Sequence, residues 1–355
     1  MKNGTAMSDR KRVNLALQGG GAHGAYTWGV LDRLLEEPRL EIAALSGTSA
    51  GALNGAAFKA GMVAGGADGA KAALRAVWTQ VQAGNGPLAS ALTDWFRPFL
   101  PDAGTVSSLI EASPAWQAMD ISSRLVSPYA SGPFYAHPLQ TVVDGLDFSC
   151  ICCDEGPGLF ISATNVRSGK VRVFGAHEVT SDVILASACL PTLFRAVEFR
   201  DPATGTMEAF WDGGYTGNPA LFPLFDPALP DDVIIVNINP LYRDSVPHTP
   251  TEIQNRINEI SFNSSLLREL RAVSFVKKLI ANGKVEAGAM KDVLVHMISD
   301  DALMTELSVA TKTLAIPAVI DRLFDAGRQA ADRFLQLHID DLNQRGTVDL
   351  QETFN

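Results

Sequence analysis

Residues 13–51 read VNLALQGGGAHGAYTWGVLDRLLEEPRLEIAALSGTSAG. Two short apolar runs, residues 13–17 and 42–45, are each followed by glycines, and residues 25–35 repeat apolar side chains at helical spacing. Short apolar runs bounded by turn residues are typical of buried parallel strands, because helices cover such strands on both faces. The strand–helix–strand order therefore predicts a mainly parallel sheet between two layers of helices.

The rest of the sequence predicts the same α/β class. Residues 82–144 contain seven prolines and interrupt the pattern, which indicates an irregular insertion. We expect residues 1–355 to form one three-layer α/β/α domain, with its core motifs in residues 13–240 and a helical C-terminal region at about residues 250–345. Further strands are predicted at residues 159–164, 171–174, 207–211, 233–238 and 293–298, and helices at residues 50–61, 181–188, 302–314 and 318–335.

Composition excludes some classes of protein. Hydrophobic residues make up 46% of the 355 residues, enough for a sizeable core, which argues against global disorder. The net charge of −10 argues against a nucleic-acid partner, because phosphate binding requires clustered Lys and Arg. No apolar run approaches the roughly 18 residues of a spanning helix, and residues 1–12 lack the apolar region of a secretory signal, so we expect a cytoplasmic protein.

The insertion contains one clump of aromatic and apolar residues, from Trp95 to Leu100. Two interpretations are open. The clump is either buried within the insertion, or partly exposed at the mouth of a site as a lid or as a peripheral membrane contact. The negative net charge is compatible with both, because apolar patches bind membranes without positive charge.

Ser49 is the candidate nucleophile. It lies in Gly47-Thr48-Ser49-Ala50-Gly51, directly after the second predicted strand. Glycines two residues before and two residues after a serine suit a sharp strand-to-helix turn that exposes the hydroxyl. A serine hydroxyl is hardly ionised at neutral pH, so covalent catalysis at this position requires a positioned base.

Asp212 is the candidate base. It follows a predicted strand that ends in Trp211, and Gly213 and Gly214 come directly after it, a turn able to direct one carboxylate towards a neighbouring loop. An apolar environment would raise the pKa of this carboxyl group and make it a better base. Taken alone, however, the segment fits an ordinary Asp-Gly turn better.

The histidines and cysteines give weaker signals. None of the six histidines lies in a context that marks a catalytic base, and His296, inside an apolar strand, is best explained as a structural residue. Cys150, Cys152 and Cys153 lack a nearby histidine as a fourth ligand, so we expect reduced thiols rather than a metal site.

A glycine-rich loop, GGGAHG at residues 19–24, has two interpretations. Consecutive backbone N–H groups at a helix N-terminus attract negative charge, so the loop suits an oxyanion. Its spacing also matches the dinucleotide-binding fingerprint, which requires an acidic residue at the end of the second strand. Glu41 begins that strand instead, which favours the oxyanion interpretation. The loop consists of Gly19, Gly20, Gly21, Ala22, His23 and Gly24.

Taken together, these segments resemble the patatin-like phospholipases in the order of their motifs along residues 13–240. The loop is similar to that family's oxyanion loop, the serine turn to its G-x-S-x-G motif, and residues 212–214 to its D-G-[GA] motif. Residues 186–191 are similar to its A-S-x-x-x-P block, and Asn218 and Pro219 also fit. Each motif alone is weakly specific, whereas the ordered set is strong.

The resemblance implies a lipid or acyl-ester substrate and a serine lipid-acyl hydrolase that needs neither cofactor nor metal. Ser49 would be the nucleophile and Asp212 the base of a two-residue dyad. Backbone N–H groups of the loop and of the residue after the serine would hold the oxyanion, chiefly those of Gly20, Gly21 and Ala50. The resemblance also implies supporting roles for Gly47, Gly51, Gly213 and Gly214.

One residue departs from the family pattern, which commonly has Arg or Lys where this chain has His23. The backbone donors are unaffected by that change, but a permanent positive charge is lost. Two hypotheses are open for His23. It titrates near pH 6 to 7 and makes activity pH-dependent, or it is a neutral structural residue.

Three rival functions remain. An α/β-hydrolase with a Ser-His-Asp triad uses the same kind of G-x-S-x-G turn, but its fold places more strands before the serine than this chain provides. A nucleotide-binding module would use the glycine loop without catalysis. A lipid-surface protein would use the segment from Trp95 to Leu100 without hydrolysis.

Overall fold

The computed structural model describes residues 10–84 and 125–354, apart from residues 287 and 308, together with Ser113 and Trp116. The segment from Trp95 to Leu100 and much of the predicted insertion lie outside the described residues. What was predicted for that segment therefore stays a prediction.

A central sheet of eight strands organises the described residues. The strands are β1 (Lys11–Leu17), β2 (Leu40–Gly47), β3 (Gly158–Asn165), β4 (Val171–Gly175), β5 (Val197–Arg200), β6 (Met207–Asp212), β7 (Asp232–Val236) and β8 (Leu294–Ile298). Their order is β5-β6-β3-β2-β1-β7-β8, and β4 pairs with β3 outside this path. The four pairings among β3, β2, β1, β7 and β8 are parallel, and the other three are antiparallel.

Helices surround the sheet. In the described residues they are α1 (Gly24–Leu34), α2 (Ala50–Ala83), α3 (Gln140–Asp144), α4 (Phe148–Ile151), α5 (Ser181–Ser187), α6 (Pro250–Ala281), α7 (Asp301–Glu306), α8 (Val309–Thr313), α9 (Pro317–His338) and α10 (Leu350–Phe354). Helix α6 begins with a capping box, because Thr249 accepts the backbone N–H of Glu252 while the Glu252 side chain accepts that of Thr249.

Side chains alternate between the two faces of the sheet, and both faces are covered. Leu15 of β1 and Ile234 of β7 belong to one apolar core with residues of α1, α2 and α9. Ala16 and Ile235, one position further along each strand, belong to a second core with Leu266 of α6. This alternation is the period of two expected for strands buried on both faces. The predicted α/β class, with helices around a mainly parallel sheet, is confirmed.

Most predicted elements are present, with three differences. The prediction of one helix over residues 302–314 is wrong, because Leu307 has an extended backbone (φ −88°, ψ 147°) that separates α7 from α8. Helix α2 continues beyond Gly61 to Ala83, although Gly65 and Gly66 inside it are not helical. Strand β5 was not predicted, because its residues are only half-buried or exposed and form no apolar run.

The register of the sheet brings the two glycine-rich turns together. Strands β1 and β2 are parallel, and Leu17 at the end of β1 pairs with Gly47 at the end of β2. The glycine loop and the serine turn follow these two residues and therefore meet at the same edge of the sheet. Within the described residues, a helix with the length and hydropathy needed to span a bilayer is not found.

Candidate active site

Ser49 is held in an unusual backbone conformation. It is the N-cap of α2, with φ 55° and ψ −121°. Residues other than glycine rarely adopt such angles, and strain of this kind is concentrated at active sites and ligand-binding turns. As the N-cap, Ser49 lies at the positive end of the α2 dipole. Its side chain is mostly out of bulk water, because the residue is only 7% exposed.

The serine turn at residues 47–51 lies directly against the glycine loop and the end of β1. This close packing requires glycine at two positions. A Cβ atom on Gly19 would lie 2.7 Å from Ser49 Cβ. A Cβ atom on Gly51 would lie 2.1 Å from the carbonyl oxygen of Leu17. Neither separation is sterically possible, so any larger residue would push the loop and the nucleophile apart.

Asp212 ends β6 and is fully buried. Burial raises the pKa of its carboxyl group to about 7, although the backbone N–H of Gly214 and the hydroxyl of Ser49 both oppose the rise. The Gly214 N–H donates to Asp212 Oδ1 at 2.7 Å, which fixes the orientation of the carboxyl group. The predicted rise in pKa therefore has a structural cause, namely desolvation at the end of a buried strand.

The Ser49 hydroxyl and the Asp212 carboxyl group adjoin each other. The hydroxyl is close enough to lower the pKa of the acid. Within the described residues, however, Asp212 Oδ2 has no hydrogen-bond partner, whereas Oδ1 accepts the Gly214 N–H. Catalytic hydrogen bonds are often long before substrate binds. One carboxylate oxygen is thus fixed, and the other is free to accept a proton.

Ser187 connects the nucleophile to the sheet. The backbone N–H of Ser49 donates to Ser187 Oγ at 2.9 Å, and Ser187 Oγ donates to the Ser162 carbonyl oxygen at 2.7 Å. Two residues later, the carbonyl oxygen of Cys189 accepts the backbone N–H of Asp212 at 2.8 Å. The segment that resembles the A-S-x-x-x-P block therefore holds both the candidate nucleophile and the candidate base.

We predict that Ser187→Ala lowers kcat by roughly 10- to 100-fold, because a small displacement of a reacting group is costly. The Ser49 N–H would lose its acceptor, and the strained turn would relax. The matched control is Ser46→Ala, which removes another buried hydroxyl, one that donates to the Ala220 carbonyl oxygen. Turnover of a short-chain nitrophenyl ester measures both variants. Equal kcat values for them would contradict this role of Ser187.

The loop N–H groups divide into two sets. Gly19 N–H donates to Asn218 Oδ1 at 2.6 Å, and His23 N–H donates to the Gly20 carbonyl oxygen at 3.2 Å. The N–H of Gly24 is likewise directed to carbonyl oxygens inside the loop. These three N–H groups are therefore occupied. Among the described residues, no hydrogen bond involves the N–H of Gly20, Gly21, Ala22 or Ala50, and Gly20, Gly21 and Ala50 remain the chief predicted donors.

Polar side chains from distant parts of the chain anchor the loop. Asn239 Nδ2 donates to the Gly19 carbonyl oxygen at 2.8 Å, and Gln18 Oε1 accepts the backbone N–H of Ile238 at 2.9 Å. Together with Asn218, these residues fix Gly19 on both its donor and its acceptor side. Sequence reasoning missed Gln18 and Asn239, although Gln18 directly follows β1 and Asn239 lies three residues after β7, near strand ends where loop anchors are expected.

His23 is a buried, neutral residue. Its Nε2 atom lies 2.9 Å from Thr311 Oγ1, and the ring is fully buried. Burial, and to a smaller degree the nearby Lys312 ammonium, hold the pKa of His23 well below the usual value of 6.5. The hypothesis that His23 titrates near neutrality is therefore disfavoured, and the structural hypothesis is supported.

The other histidines have structural surroundings. The structural interpretation of His296 is confirmed, because its two ring nitrogens lie 3.0 Å from Asp232 Oδ1 and 3.1 Å from Thr347 Oγ1. Burial lowers the pKa of His137 to about 4, and its Nδ1 accepts the backbone N–H of Leu139. Among the described residues, no hydrogen bond or ion pair joins a histidine side chain to Ser49 or Asp212.

Two other sequence features lie away from the site. Glu41 pairs with Arg12 at 2.9 Å near the beginning of β2, at the edge of the sheet opposite the glycine loop. It is therefore too distant to hold the ribose of a dinucleotide at that loop. All four cysteines are free thiols, and the described residues contain no cluster of His, Cys, Asp and Glu suited to a metal ion.

A family model described as "Patatin-like phospholipase" matches residues 15–225, which is more than half of the chain. The chain belongs to this family. The matched region contains the glycine loop, the serine turn, Ser187 and Asp212, so the resemblance inferred from the motifs is confirmed. As a patatin-like phospholipase, the protein is an ester hydrolase that acts on lipids.

A comparison with solved structures found chains with limited similarity to this patatin-like phospholipase, among them the following three. VipD from Legionella pneumophila is 17% identical, with a TM-score of 0.41 over 92% of this chain and 67% of VipD. The type III effector protein ExoU is 16% identical, with a TM-score of 0.33 over 93% of this chain and 54% of ExoU. Full-length ExoU in complex with SpcU, from the type III secretion system of Pseudomonas aeruginosa, is 18% identical, with a TM-score of 0.28 over 98% of this chain and 67% of that one. A comparison with the sequences of curated proteins gave no match.

Proposed function

We propose that the protein is a serine-dependent lipid acyl hydrolase of the phospholipase A or esterase type, in which Ser49 is the nucleophile and Asp212 the base. The observation that supports this most strongly is the state of the Asp212 carboxyl group. Burial raises its pKa to about 7, Oδ1 is fixed by Gly214, and Oδ2 is without a partner among the described residues. A base with a pKa near the working pH combines the required ionised form with the greatest basicity.

In the acylation step, Asp212 Oδ2 accepts the Ser49 hydroxyl proton while Ser49 Oγ attacks the ester carbonyl carbon. The π electrons of the carbonyl group move to its oxygen and give a tetrahedral oxyanion. When the intermediate collapses, the bond to the alcohol oxygen breaks and Asp212 returns the proton to that oxygen. The acyl group is then bonded to Ser49 Oγ, and the alcohol leaves.

In the deacylation step, Asp212 accepts a proton from water, and the resulting hydroxide attacks the acyl carbonyl carbon. A second tetrahedral oxyanion forms and collapses. The bond to Ser49 Oγ breaks, and Asp212 returns the proton to that oxygen. A carboxylic acid is released, and the hydroxyl and the carboxylate are restored.

The oxyanion of both intermediates would be held by the N–H groups of Gly20, Gly21 and Ala50, which have no partner among the described residues. Ala50 opens the 34-residue helix α2, so the dipole of that helix adds positive potential at the same place. Removing one donor of this kind typically costs about 3 to 4 kcal/mol of barrier.

The histidine-triad alternative has less support. Such a triad requires an imidazole that accepts the serine proton and a carboxylate that orients the imidazole. Among the described residues, no histidine side chain forms a hydrogen bond with Ser49. His296 does contact the buried Asp232, but its other ring nitrogen contacts Thr347 and not a serine nucleophile. The dinucleotide alternative lacks its acid, because Glu41 lies at the other edge of the sheet.

The test is the release of free fatty acid from phospholipids and neutral glycerides by the purified protein, followed by mass spectrometry. We expect fatty acid and the matching deacylated lipid from wild type, and none from Ser49→Ala. We also expect each single His→Ala variant at positions 137, 177, 248, 296 and 338 to retain turnover. A histidine variant as inactive as Ser49→Ala, with its fold intact, would contradict the dyad.

Activity should depend on pH through Asp212. Only the ionised carboxylate accepts the serine proton, and burial raises the pKa of Asp212 to about 7. We therefore predict that kcat/KM for a soluble ester falls about tenfold per pH unit below pH 7 and is level above it. His23→Arg should leave the midpoint of this acid limb in place, because burial and the nearby Lys312 ammonium hold the pKa of His23 well below its usual value. A profile that is flat from pH 5 to 8 would contradict this assignment of the base.

A further inference from the structure

Helix α6 has a second, solvent-facing stripe besides the face that it packs into the core. Successive members of the stripe are three or four residues apart, which places them on one side of the helix. Every member except the half-buried Ser264 is exposed. The stripe consists of Ile253, Ile257, Ile260, Ser264, Arg268, Arg271, Phe275 and Lys278.

The N-terminal half of the stripe is apolar. Ile253, Ile257 and Ile260 are 43%, 53% and 55% exposed, on consecutive turns of the helix. Single exposed apolar side chains are common on protein surfaces, whereas a contiguous group marks an interaction surface. The loop before α6 adds Tyr242 and Val246, each 72% exposed, and a bond from Arg243 to Glu259 fixes this loop to the helix.

The C-terminal half of the stripe is basic. It exposes Arg268, Arg271 and Lys278, with Phe275 61% exposed between them. Within the described residues none of these three cations forms an ion pair, and the stripe contains no Asp or Glu. The whole chain has a net charge of −10, whereas this stripe has three unpaired cations and is therefore locally positive.

The same helix also borders the candidate active site. A Cβ atom on Gly214 would lie 3.0 Å from the ring of Phe262, and that ring packs edge-on against Tyr215 at 5.1 Å between centroids. Phe262 and Ile260 are two residues apart and therefore point to different sides of the helix. Helix α6 thus contacts the candidate site with one side and exposes the stripe on another.

We propose that the α6 stripe docks on an anionic lipid bilayer. The isoleucines enter the boundary between headgroups and acyl chains, and the three cations bind lipid phosphates, as amphipathic interfacial helices do. A second copy of this chain fits the stripe poorly, because in an antiparallel pair the apolar half of each stripe would bury the unpaired cations of the other. The link between docking and catalysis rests on the proposed function, but bilayer binding itself does not.

The test measures partitioning onto vesicles of phosphatidylcholine, with and without phosphatidylglycerol. Every protein also contains Ser49→Ala, so no lipid is consumed during the measurement. We expect Arg268→Gln/Arg271→Gln to weaken binding to the anionic vesicles by about 30-fold, from roughly 1 kcal/mol per basic residue. The matched control, Arg75→Gln/Arg333→Gln, removes two exposed basic residues from α2 and α9 and should bind like its parent.

A second variant, Ile257→Ser/Ile260→Ser, should weaken binding to both kinds of vesicle, because it removes apolar contact rather than charge. With Ser49 restored, both stripe variants should hydrolyse a soluble short-chain ester at the wild-type rate, which shows that they fold. Binding that is absent in the parent, equal on both vesicles or unchanged in the stripe variants would overturn the proposal. So would a dimer that dissociates in the isoleucine variant. Normal binding without hydrolysis by the Ser49 protein would instead overturn the proposed function alone.

Discussion

Replacing Ser49 with alanine is expected to lower kcat by about 10⁴- to 10⁶-fold, the loss typical of a removed serine nucleophile. Without Oγ no acyl-enzyme can form, and any residual rate would come from the oxyanion donors and from binding alone. Initial rates on a soluble ester, with a lipid substrate in parallel, measure the loss. Binding of a non-hydrolysable analogue should persist, because the substitution removes only the Ser49 Oγ atom.

The control for Ser49→Ala is Ser46→Ala. Ser46 is fully buried, lies three residues earlier and donates its hydroxyl proton to the Ala220 carbonyl oxygen. Losing that bond should cost about 1 kcal/mol of stability and leave most of the turnover intact. The role of Ser49 is contradicted if its alanine variant retains more than about a hundredth of wild-type kcat.

Asp212→Asn is expected to have two opposite effects, a loss of about 10⁴-fold in kcat and a gain in stability above pH 7. The amide keeps an oxygen that can accept the Gly214 N–H, so the turn is preserved. It has no basicity, however, so Ser49 loses its proton acceptor. It also has no charge, so the cost of a buried carboxylate disappears.

The sign of the stability effect follows from the raised pKa. Asp212 has a pKa of about 7 in the folded protein, against an unperturbed value of 3.8. Its stabilising contribution is therefore complete below pH 3.8 and is lost as the pH rises through 7. Urea unfolding at pH 8 should find Asp212→Asn more stable than wild type by roughly 2 to 4 kcal/mol, and the difference should shrink towards pH 4.

Glu269 supplies the matched control for Asp212. Burial raises its pKa to about 7 as well, and its Oε2 accepts the backbone N–H groups of Leu221 and Phe222. Glu269→Gln should therefore also stabilise the protein at pH 8 while retaining turnover. If Asp212→Asn is as active as Glu269→Gln, the carboxylate at position 212 is not the base.

Local sequence was sufficient to predict the two turns that hold Ser49 and Asp212, whereas the role of Asp212 as base came from the family resemblance. Ser49 and Asp212 each follow a strand and have glycines beside them, and such turns are encoded over a few residues. The parallel order of β1 and β2 was equally accessible, because each strand contains a short apolar run and a helical pattern separates the two. The strands and turns around both residues are present as predicted, because the interactions that determine them lie close together in the chain.

The rest of the site could not be predicted in this way, because its contacts join residues far apart in sequence. Gly19 was expected among the oxyanion donors, but its N–H is occupied by Asn218, 199 residues away. Ser187 reaches Ser49 across 138 residues. The burial that keeps His23 neutral also comes from tertiary packing, including its contact with Thr311 of α8.

The most direct test of the Ser49–Asp212 dyad is the rate at which a fluorophosphonate probe labels the protein, followed against pH by mass spectrometry of the modified peptide. We predict a single adduct on Ser49, formed at a rate that rises through pH 7 and then levels, as the pKa of Asp212 near 7 requires. In Asp212→Asn the rate should be far lower and independent of pH. An adduct on another residue, or labelling of Ser49 that is equally fast and equally pH-dependent without the Asp212 carboxylate, would contradict the dyad.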